Sequence, residues 1–344
     1  MSNITFVNVS GFFYSGSSAV VDLLKEFRGF YEPNAEMRFI RDPYGIIPME
    51  ATLIHHWDWI NSSAAITDFL EFMRLSARPK GLFLPMGYGM KKNISPDFMK
   101  IAEDYVDELT DFTYKMDFYH YKSKKSFWKY QLDRYRWAIE HLTKGKVRAA
   151  NRNISTCYFA HPSQEQFNEA TQRFFNRLFE GHKNKDGETY IILDQAVPFN
   201  NAQVIHRYFK KAKMIIVDRD PRDIFCDELK HDETLDKDNK TIEAAKRYVI
   251  RSKAMRDGIV MDEDVIKVMF EDLIINYDET IRKILAFLDL QEDTHVEKRK
   301  FLKPEVSINN IGIWRKYYGE CKEAIDFIGK QLPGLCYEST LLNK

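Results

Sequence analysis

Hydrophobic and polar positions along this chain fall into two patterns. Largely apolar runs of strand length occur at 4–9, at Tyr190-Ile191-Ile192-Leu193, at Met214-Ile215-Ile216-Val217 and at 265–270, the first interrupted by Thr5 and Asn8 and the last by Lys267. Such runs suit strands buried on both faces, as in a parallel sheet. Between them the apolar spacing turns helical: 17–28 after the first run, 200–210 between the second and third, and about 277–289 after the fourth. Strand, helix and strand at this spacing make a βαβ unit. From about 61 to 182 the periodicity predicts mostly helix, with breaks near Pro79, Pro85 and Pro96. Residues 31–39 read as a loop-rich segment, in which Glu36-Met37-Arg38 follows an apparent second strand. The expected fold class is α/β. It is a three-layer α/β/α domain spanning 1–344, with a central parallel sheet and a mostly helical insertion at about 60–185.

Chemistry concentrates where the first strand ends. Gly11-Phe12-Phe13-Tyr14-Ser15-Gly16-Ser17-Ser18-Ala19 joins that strand to the first helix. A glycine-bounded turn at a helix N-terminus gathers free backbone N–H groups and the positive end of the helix dipole at one spot, which suits an anion. The spacing is P-loop-type, but Ser17 stands where a nucleoside triphosphatase needs its lysine. A phosphate or sulfate group fits better than ATP or GTP hydrolysis, and a kinase or ATPase is disfavoured. A tight turn without a ligand is the structural alternative. In parallel sheets ligands bind beyond the carboxyl ends of the strands. The loop 11–18, the segment 218–227 and Glu271-Asp272 are therefore expected on one edge.

Composition narrows the partners. The chain has 344 residues, 44% of them hydrophobic, enough for a large core. Lys plus Arg and Asp plus Glu stand at 51 each, so no global field favours nucleic acid or an anionic membrane. The four cysteines, Cys157, Cys226, Cys321 and Cys336, form no CxxC pair, which points away from a zinc site or disulfide framework and toward a reducing, cytoplasmic setting. No metal is expected. No secretory leader pattern and no apolar run long enough to cross a bilayer is seen.

Four segments then line up in order: Tyr14-Ser15-Gly16-Ser17-Ser18, Asp218-Arg219-Asp220-Pro221-Arg222-Asp223, Phe270-Glu271-Asp272-Leu273, and the tail Ser307 to Lys316. Together they resemble the sulfotransferases that use 3′-phosphoadenosine 5′-phosphosulfate (PAPS), over roughly 3–40 and 188–335. The resemblance implies that Tyr14, Ser15, Gly16, Ser17, Ser18 and Ala19 hold the 5′-phosphosulfate. It implies that Arg219 and position 227 hold the 3′-phosphate, with Phe270 beside the nucleotide. Asn310, Gly312, Trp314 and Arg315 belong to a late loop that closes over it. PAPS is then the donor and PAP the product. The physics agrees: sulfuryl transfer needs positioning, charge stabilisation and a base for the attacking hydroxyl.

This chain departs from the family pattern at four places. Tyr14 replaces the basic residue before Ser-Gly, Asp227 replaces a serine, Gln195 replaces the lysine of an Asp/Asn-Lys-x-Pro turn, and Phe270 replaces a tyrosine. A carboxylate about 4 Å from a phosphate costs on the order of 1–4 kcal/mol, unless a cation such as Lys230 or His231 intervenes. Either another basic residue substitutes for the missing ones, or the chain is a degenerate binding protein. Glu36 is the first candidate base, since Glu-x-Arg follows the second strand in glutamate-base relatives; Arg38 would orient it or the sulfate. His55 is the second candidate and His161 the third. A surface ion pair and packed core histidines are the structural alternatives.

The inserted segment is dense in aromatic and basic residues at Phe112–Tyr121 and Phe127–Trp137. It is the expected acceptor side. Such mixtures line sugar sites and sterol sites alike. A hydroxyl of a carbohydrate or polysaccharide is the favoured acceptor; a sterol or other small apolar alcohol is the alternative.

Overall fold

The computed structural model describes residues 4–33, 36–80, 87–116, 127–145, 155–183, 187–231 and 242–338. Along the chain come β1 (Ile4–Gly11), α1 (Ser17–Leu24), β2 (Phe30–Tyr31), α2 (Trp59–Ala77), α3 (Phe98–Leu109), β3 (Phe112–Met116), α4 (Phe127–Leu142), β4 (Ser155–Phe159), α5 (Gln164–Leu178), β5 (Thr189–Asp194), β6 (Ala212–Asp218), α6 (Pro221–His231), α7 (Ile242–Asp257), β7 (Val265–Met269), α8 (Tyr277–Phe287) and α9 (Trp314–Gln331). Shorter helical turns lie between them.

Five strands form one sheet in the order β2-β5-β1-β6-β7, and every pairing is parallel. β1 lies at the centre and every residue of it is buried. Its side chains alternate between the two faces. Ile4 and Phe6 enter one core with Phe39, Phe175 and Phe209. Val7 and Val9 enter the other with Leu23, Ile215 and Ile284. Burial on both faces is why the inner strands read as largely apolar runs. The α/β class and the central parallel sheet are as the periodicity predicts.

The helical reading of 61–182 holds for α2, α3, α4 and α5, with one difference. β3 and β4 pair antiparallel as a ribbon, Tyr114 opposite Cys157. Their β-branched and aromatic residues (Thr113, Tyr114, Thr156, Tyr158, Phe159) favour a pleated surface over a helix. α2 starts where the Asp58 carboxylate accepts from the N–H groups of Ile60 and Asn61, and ends at Ala77, two residues before Pro79. Pro85 and residues 117–121 of the Phe112–Tyr121 segment lie outside the described residues. The helix expected at 200–210 is a 3₁₀ turn plus the single short helix Val204–Tyr208.

Two buried polar clusters fix the layers. Glu50, 2% exposed, accepts two hydrogen bonds from Arg207 (3.0 Å each), one from Tyr208 (2.6 Å) and one from Gln164 (2.7 Å). Burial acts to raise its carboxyl, but these donors hold it below the ordinary carboxylate range. The cluster ties the inserted helices to the β5–β6 crossover. In the sheet, Asn8 donates to the Val197 carbonyl (3.1 Å) and accepts from the Val197 N–H (2.9 Å). That pair pins the turn after β5 to β1.

Candidate functional site

The loop after β1 is shaped by two close approaches. A Cβ on Gly16, whose φ is +82°, would lie 2.4 Å from the Phe270 ring. A Cβ on Gly11 would lie 2.3 Å from the Ser15 Oγ. Tyr14 also takes a left-handed conformation, with φ of 59°. The turn closes with the Ser15 N–H donating to the Phe12 carbonyl (3.0 Å), and the Ala19 N–H to that of Gly16 (3.0 Å). α1 then starts at Ser17 with no side-chain cap, which leaves its first N–H groups to the loop. Ser15 is fully buried, and its Oγ has no hydrogen-bond partner among the described residues.

Gln195 completes this loop from β5. Held by its N–H to the Val9 carbonyl (2.9 Å), it donates through Nε2 to the Ser17 Oγ at 2.8 Å. Next to it, burial and the nearby carboxylates Glu36 and Glu32 push the Asp194 carboxyl up to about 6.

Arg219 follows β6 and is 3% exposed. Its Nη1 donates to the Tyr14 carbonyl (2.7 Å) and to Asp227 (2.5 Å), and its Nη2 donates to the Asn310 carbonyl. The guanidinium lies 5.3 Å from the centre of the Phe270 ring. Its ion-pair partner is Asp227, one of the four departures, and not Asp220 or Asp223 as a simple local pairing would have it. Asp220 instead holds Arg222 (2.6 Å), and Asp223 accepts from the N–H groups of Gly312 (2.7 Å) and Trp314 (3.0 Å). Burial pushes the Asp223 carboxyl up to about 6.

A cavity of about 600 Å³ opens on this edge. Tyr14, Ser15, Gly16, Ser17, Ser18, Ala19 and Asp22 form one wall. Arg219, Asp227, Lys230 and His231 form a second, with Phe270 beside them, and Phe301, Leu302, Lys303, Val306, Ser307 and Asn310 a third. The third wall is built by Glu26. This carboxylate is fully buried and accepts from His295 Nε2 (2.7 Å) and from the N–H groups of Arg299, Phe301 and Leu302 (2.9 Å each).

Ten of the thirteen residues expected to hold the nucleotide line this cavity. Gly312, Trp314 and Arg315 do not. They lie behind the Asn310 wall, where Gly312 and Trp314 cap Asp223 and Trp314 is flanked by the guanidiniums of Arg222 (4.4 Å) and Arg315 (5.0 Å). Glu36, half exposed, pairs with Arg38 (3.3 Å), which also binds Asp42 (2.6 Å). Glu36 lies near enough to Asp194 to raise its carboxyl, on the same sheet edge but off the cavity wall. His55 ends a π-helical turn and is exposed. His161 packs against Trp57, ring centres 4.5 Å apart. Neither histidine lines the cavity. Asp22, Glu26 and the 301–306 part of the wall carry no motif of their own in the sequence. A weak signal existed for the wall: Lys303-Pro304 opens a short helix with proline in its first turn.

Among the described residues, no group of three or more His, Cys, Asp or Glu side chains is placed to hold a metal, and no helix is long and apolar enough to cross a membrane.

No curated protein matches the chain. Solved structures do, at low identity. The sulfotransferase domain of the olefin synthase from Synechococcus PCC 7002 is 12% identical, covering 95% of this chain and 93% of that one, with a TM-score of 0.40. A sulfotransferase from Mycobacterium avium is 14% identical, covering 96% and 76%, at 0.38. Retinol dehydratase, solved with androsterone and PAP, is 14% identical, covering 99% and 84%, at 0.36. Residues 115–294 match the profile described as the sulfotransferase family, a stretch that holds both the Arg219 segment and Phe270-Glu271. That match covers just over half of the sequence, and on it the chain belongs to the sulfotransferase family.

Proposed function

We propose that this sulfotransferase takes the sulfuryl group from PAPS, releasing PAP, and passes it to a hydroxyl of a carbohydrate or polysaccharide. The observation that carries the reading is the single cavity shared by the Tyr14–Ala19 loop, Arg219 and Phe270. The loop suits a 5′-phosphosulfate. Gly16 admits no Cβ because the Phe270 ring packs against it, which joins the loop to Phe270 on the cavity wall, and the buried Ser15 Oγ has no hydrogen-bond partner among the described residues. PAPS, when bound, supplies an activated sulfuryl group on a phosphate leaving group.

Ser17 and Ser18 would hold the sulfuryl end with their hydroxyls and the first N–H groups of α1. Because Gln195 occupies an acceptor lone pair of Ser17, the Ser17 O–H is left to donate elsewhere. That assigns Gln195 a positioning role where the family has a lysine. Glu36, steered by Arg38, would take the proton of the acceptor hydroxyl, with His55 as the second choice. The segment at about 60–185, within one domain, would form the acceptor side. Exposed aromatics on its ribbon and at the start of α2, namely Phe112, Trp57 and Trp59, support a sugar acceptor, since flat faces stack on rings. A cytoplasmic location is supported by four free cysteines.

The test is transfer from radiolabelled PAPS to capsular-type polysaccharide and, in parallel, to a sterol. Label on the polysaccharide that disappears in Ser17→Ala and Glu36→Gln supports the reading. Label on the sterol alone moves the acceptor to the apolar class. Tight binding of 3′,5′-ADP with no transfer to any hydroxyl would favour a degenerate binding protein, for which Tyr14, Gln195 and Asp227 give the motive.

A further inference from the structure

We infer that His231 is a further catalytic residue, which donates a hydrogen bond to the 5′-phosphate of the nucleotide as the sulfuryl group leaves it. This rests on reading the cavity as a PAPS site. The loop that would receive the 5′ end carries no charge of its own. No residue from Tyr14 to Ala19 is charged, and neither is Gln195, which braces Ser17. The backbone N–H groups at the start of α1 supply only a partial positive charge.

Four basic side chains share the cavity wall with this loop: Arg219, Lys230, His231 and Lys303. Arg219 meets the loop at the Tyr14 carbonyl and also binds Asp227 and the Asn310 carbonyl. His231 meets the loop at a side chain. Its ring lies flat on that of Tyr14, centres 5.3 Å apart and planes within 9°. Tyr14 stands directly before Ser15, whose buried Oγ has no partner among the described residues. The stack therefore anchors the imidazole beside the loop. A lysine carries its charge on a flexible stem, whereas a ring held on a platform is a donor already in place.

A cation suits this position. His231 is the last residue of α6, where the helix presents the negative end of its dipole. A tyrosine face attracts a cation within about 6 Å of its centre. Asp227 lies one turn back on the same face of the helix. Lys230 and Arg219 oppose a further positive charge, and a phosphate in the cavity they line would offset all three. In the transfer the sulfur gains a bond to the acceptor oxygen and loses its bond to the 5′-phosphate oxygen. That oxygen keeps the electron pair, and the acceptor proton goes to the base. His231 would donate through a ring N–H to the phosphate where this negative charge appears, so its hydrogen bond strengthens in the transition state.

The experiment is calorimetric titration with 3′,5′-ADP and with 3′-AMP, which keeps the 3′-phosphate and lacks the 5′-phosphate. Wild type, His231→Ala and His231→Lys are compared, and circular dichroism checks that these variants of an exposed residue fold. The expected result is a wild type that prefers 3′,5′-ADP, and a His231→Ala variant that loses about tenfold in that affinity with 3′-AMP unchanged. His231→Lys recovers most of the loss. Transfer from radiolabelled PAPS falls by about 10²-fold in His231→Ala and returns in His231→Lys. Unchanged 3′,5′-ADP affinity in His231→Ala, or equal loss of both nucleotides, overturns the His231 assignment and leaves the PAPS reading intact. A wild type that binds neither nucleotide, or both equally, overturns the PAPS reading and the assignment with it.

Discussion

Gln195 Nε2 donates to the Ser17 Oγ at 2.8 Å, and through this bond the turn after β5 reaches the first residue of α1. Gln195 thus contributes a hydrogen bond to the loop without a charge. Ser17 keeps its own proton for a ligand. In Gln195→Ala the serine loses its anchor, and turnover is expected to fall about tenfold, some 1.4 kcal/mol of transition-state stabilisation. Thermal stability should hardly move. Gln195→Lys restores a donor and adds a cation, so its turnover should equal or exceed wild type. Steady-state kinetics on the three proteins decides it; an alanine variant as fast as wild type would make the bond mere packing.

Gly16 meets two constraints at once, a left-handed φ and the Phe270 ring 2.4 Å from where a Cβ would be. Gly16→Ala should cost about 2–5 kcal/mol, about 1–2 from the left-handed backbone and about 1–3 from overpacking. Phe270→Ala in the same chain relieves only the clash. A double-mutant cycle read by urea unfolding should therefore show coupling of about 1 kcal/mol or more between the two sites. Additive losses would mean the ring moves aside freely.

Glu26 gathers four donors on one buried carboxylate and so shapes the wall that carries Lys303. Glu26→Ala leaves those N–H groups without an acceptor and should cost about 3–5 kcal/mol. Because the wall loses its support, 3′,5′-ADP affinity should fall together with the urea midpoint. A variant that loses stability but binds the nucleotide normally would show that the wall stands without the clamp.

Glu36 and His55 are separable by rate. If Glu36 is the base, Glu36→Gln lowers kcat by about 10²-fold or more, while His55→Ala leaves it near wild type. Glu36 is also one of the charges that raise the Asp194 carboxyl to about 6. Any limb of the pH–rate profile that belongs to Asp194 should then shift to lower pH in Glu36→Gln. A large kcat loss in His55→Ala instead would move the assignment to the histidine.

The fold was legible where burial is two-sided. The runs at 4–9, 190–193 and 214–217 became β1, β5 and β6, where burial on both faces favours apolar residues, and the run at 265–270 became the edge strand β7, whose Lys267 is exposed. The ribbon was hidden because only Cys157 of its residues is fully buried, and a two-stranded exposed element has no strong period. The turn that joins β1 to α1 was legible from the spacing of Gly11 and Gly16. The third wall was not, since its support is a contact between Glu26 and residues some 270 positions later, which no local pattern records. Gly312 and Trp314 do not line the cavity: their N–H groups serve Asp223, a pairing that only the tertiary structure shows.

Glu271 opens the turn after β7 and is fully buried. One carboxylate oxygen accepts from the Asp220 N–H (2.8 Å), and the other has no partner among the described residues. Burial, with the carboxylates of Asp220 and Asp223 nearby, pushes its carboxyl up to about 8. In the unfolded chain a glutamic acid titrates near 4.3. Between these two values the folded protein binds a proton that the unfolded chain has lost, so stability falls as pH rises through that window and levels off above about 8. The benefit is complete only below the unfolded value. Glu271→Gln is neutral at every pH and escapes this loss. Its stability relative to wild type should therefore grow between pH 5 and pH 9, by an amount on the order of 2–4 kcal/mol. Urea unfolding of both proteins at several pH values measures it. Parallel curves would mean that Glu271 is ionised in the folded protein and that its second oxygen is solvated.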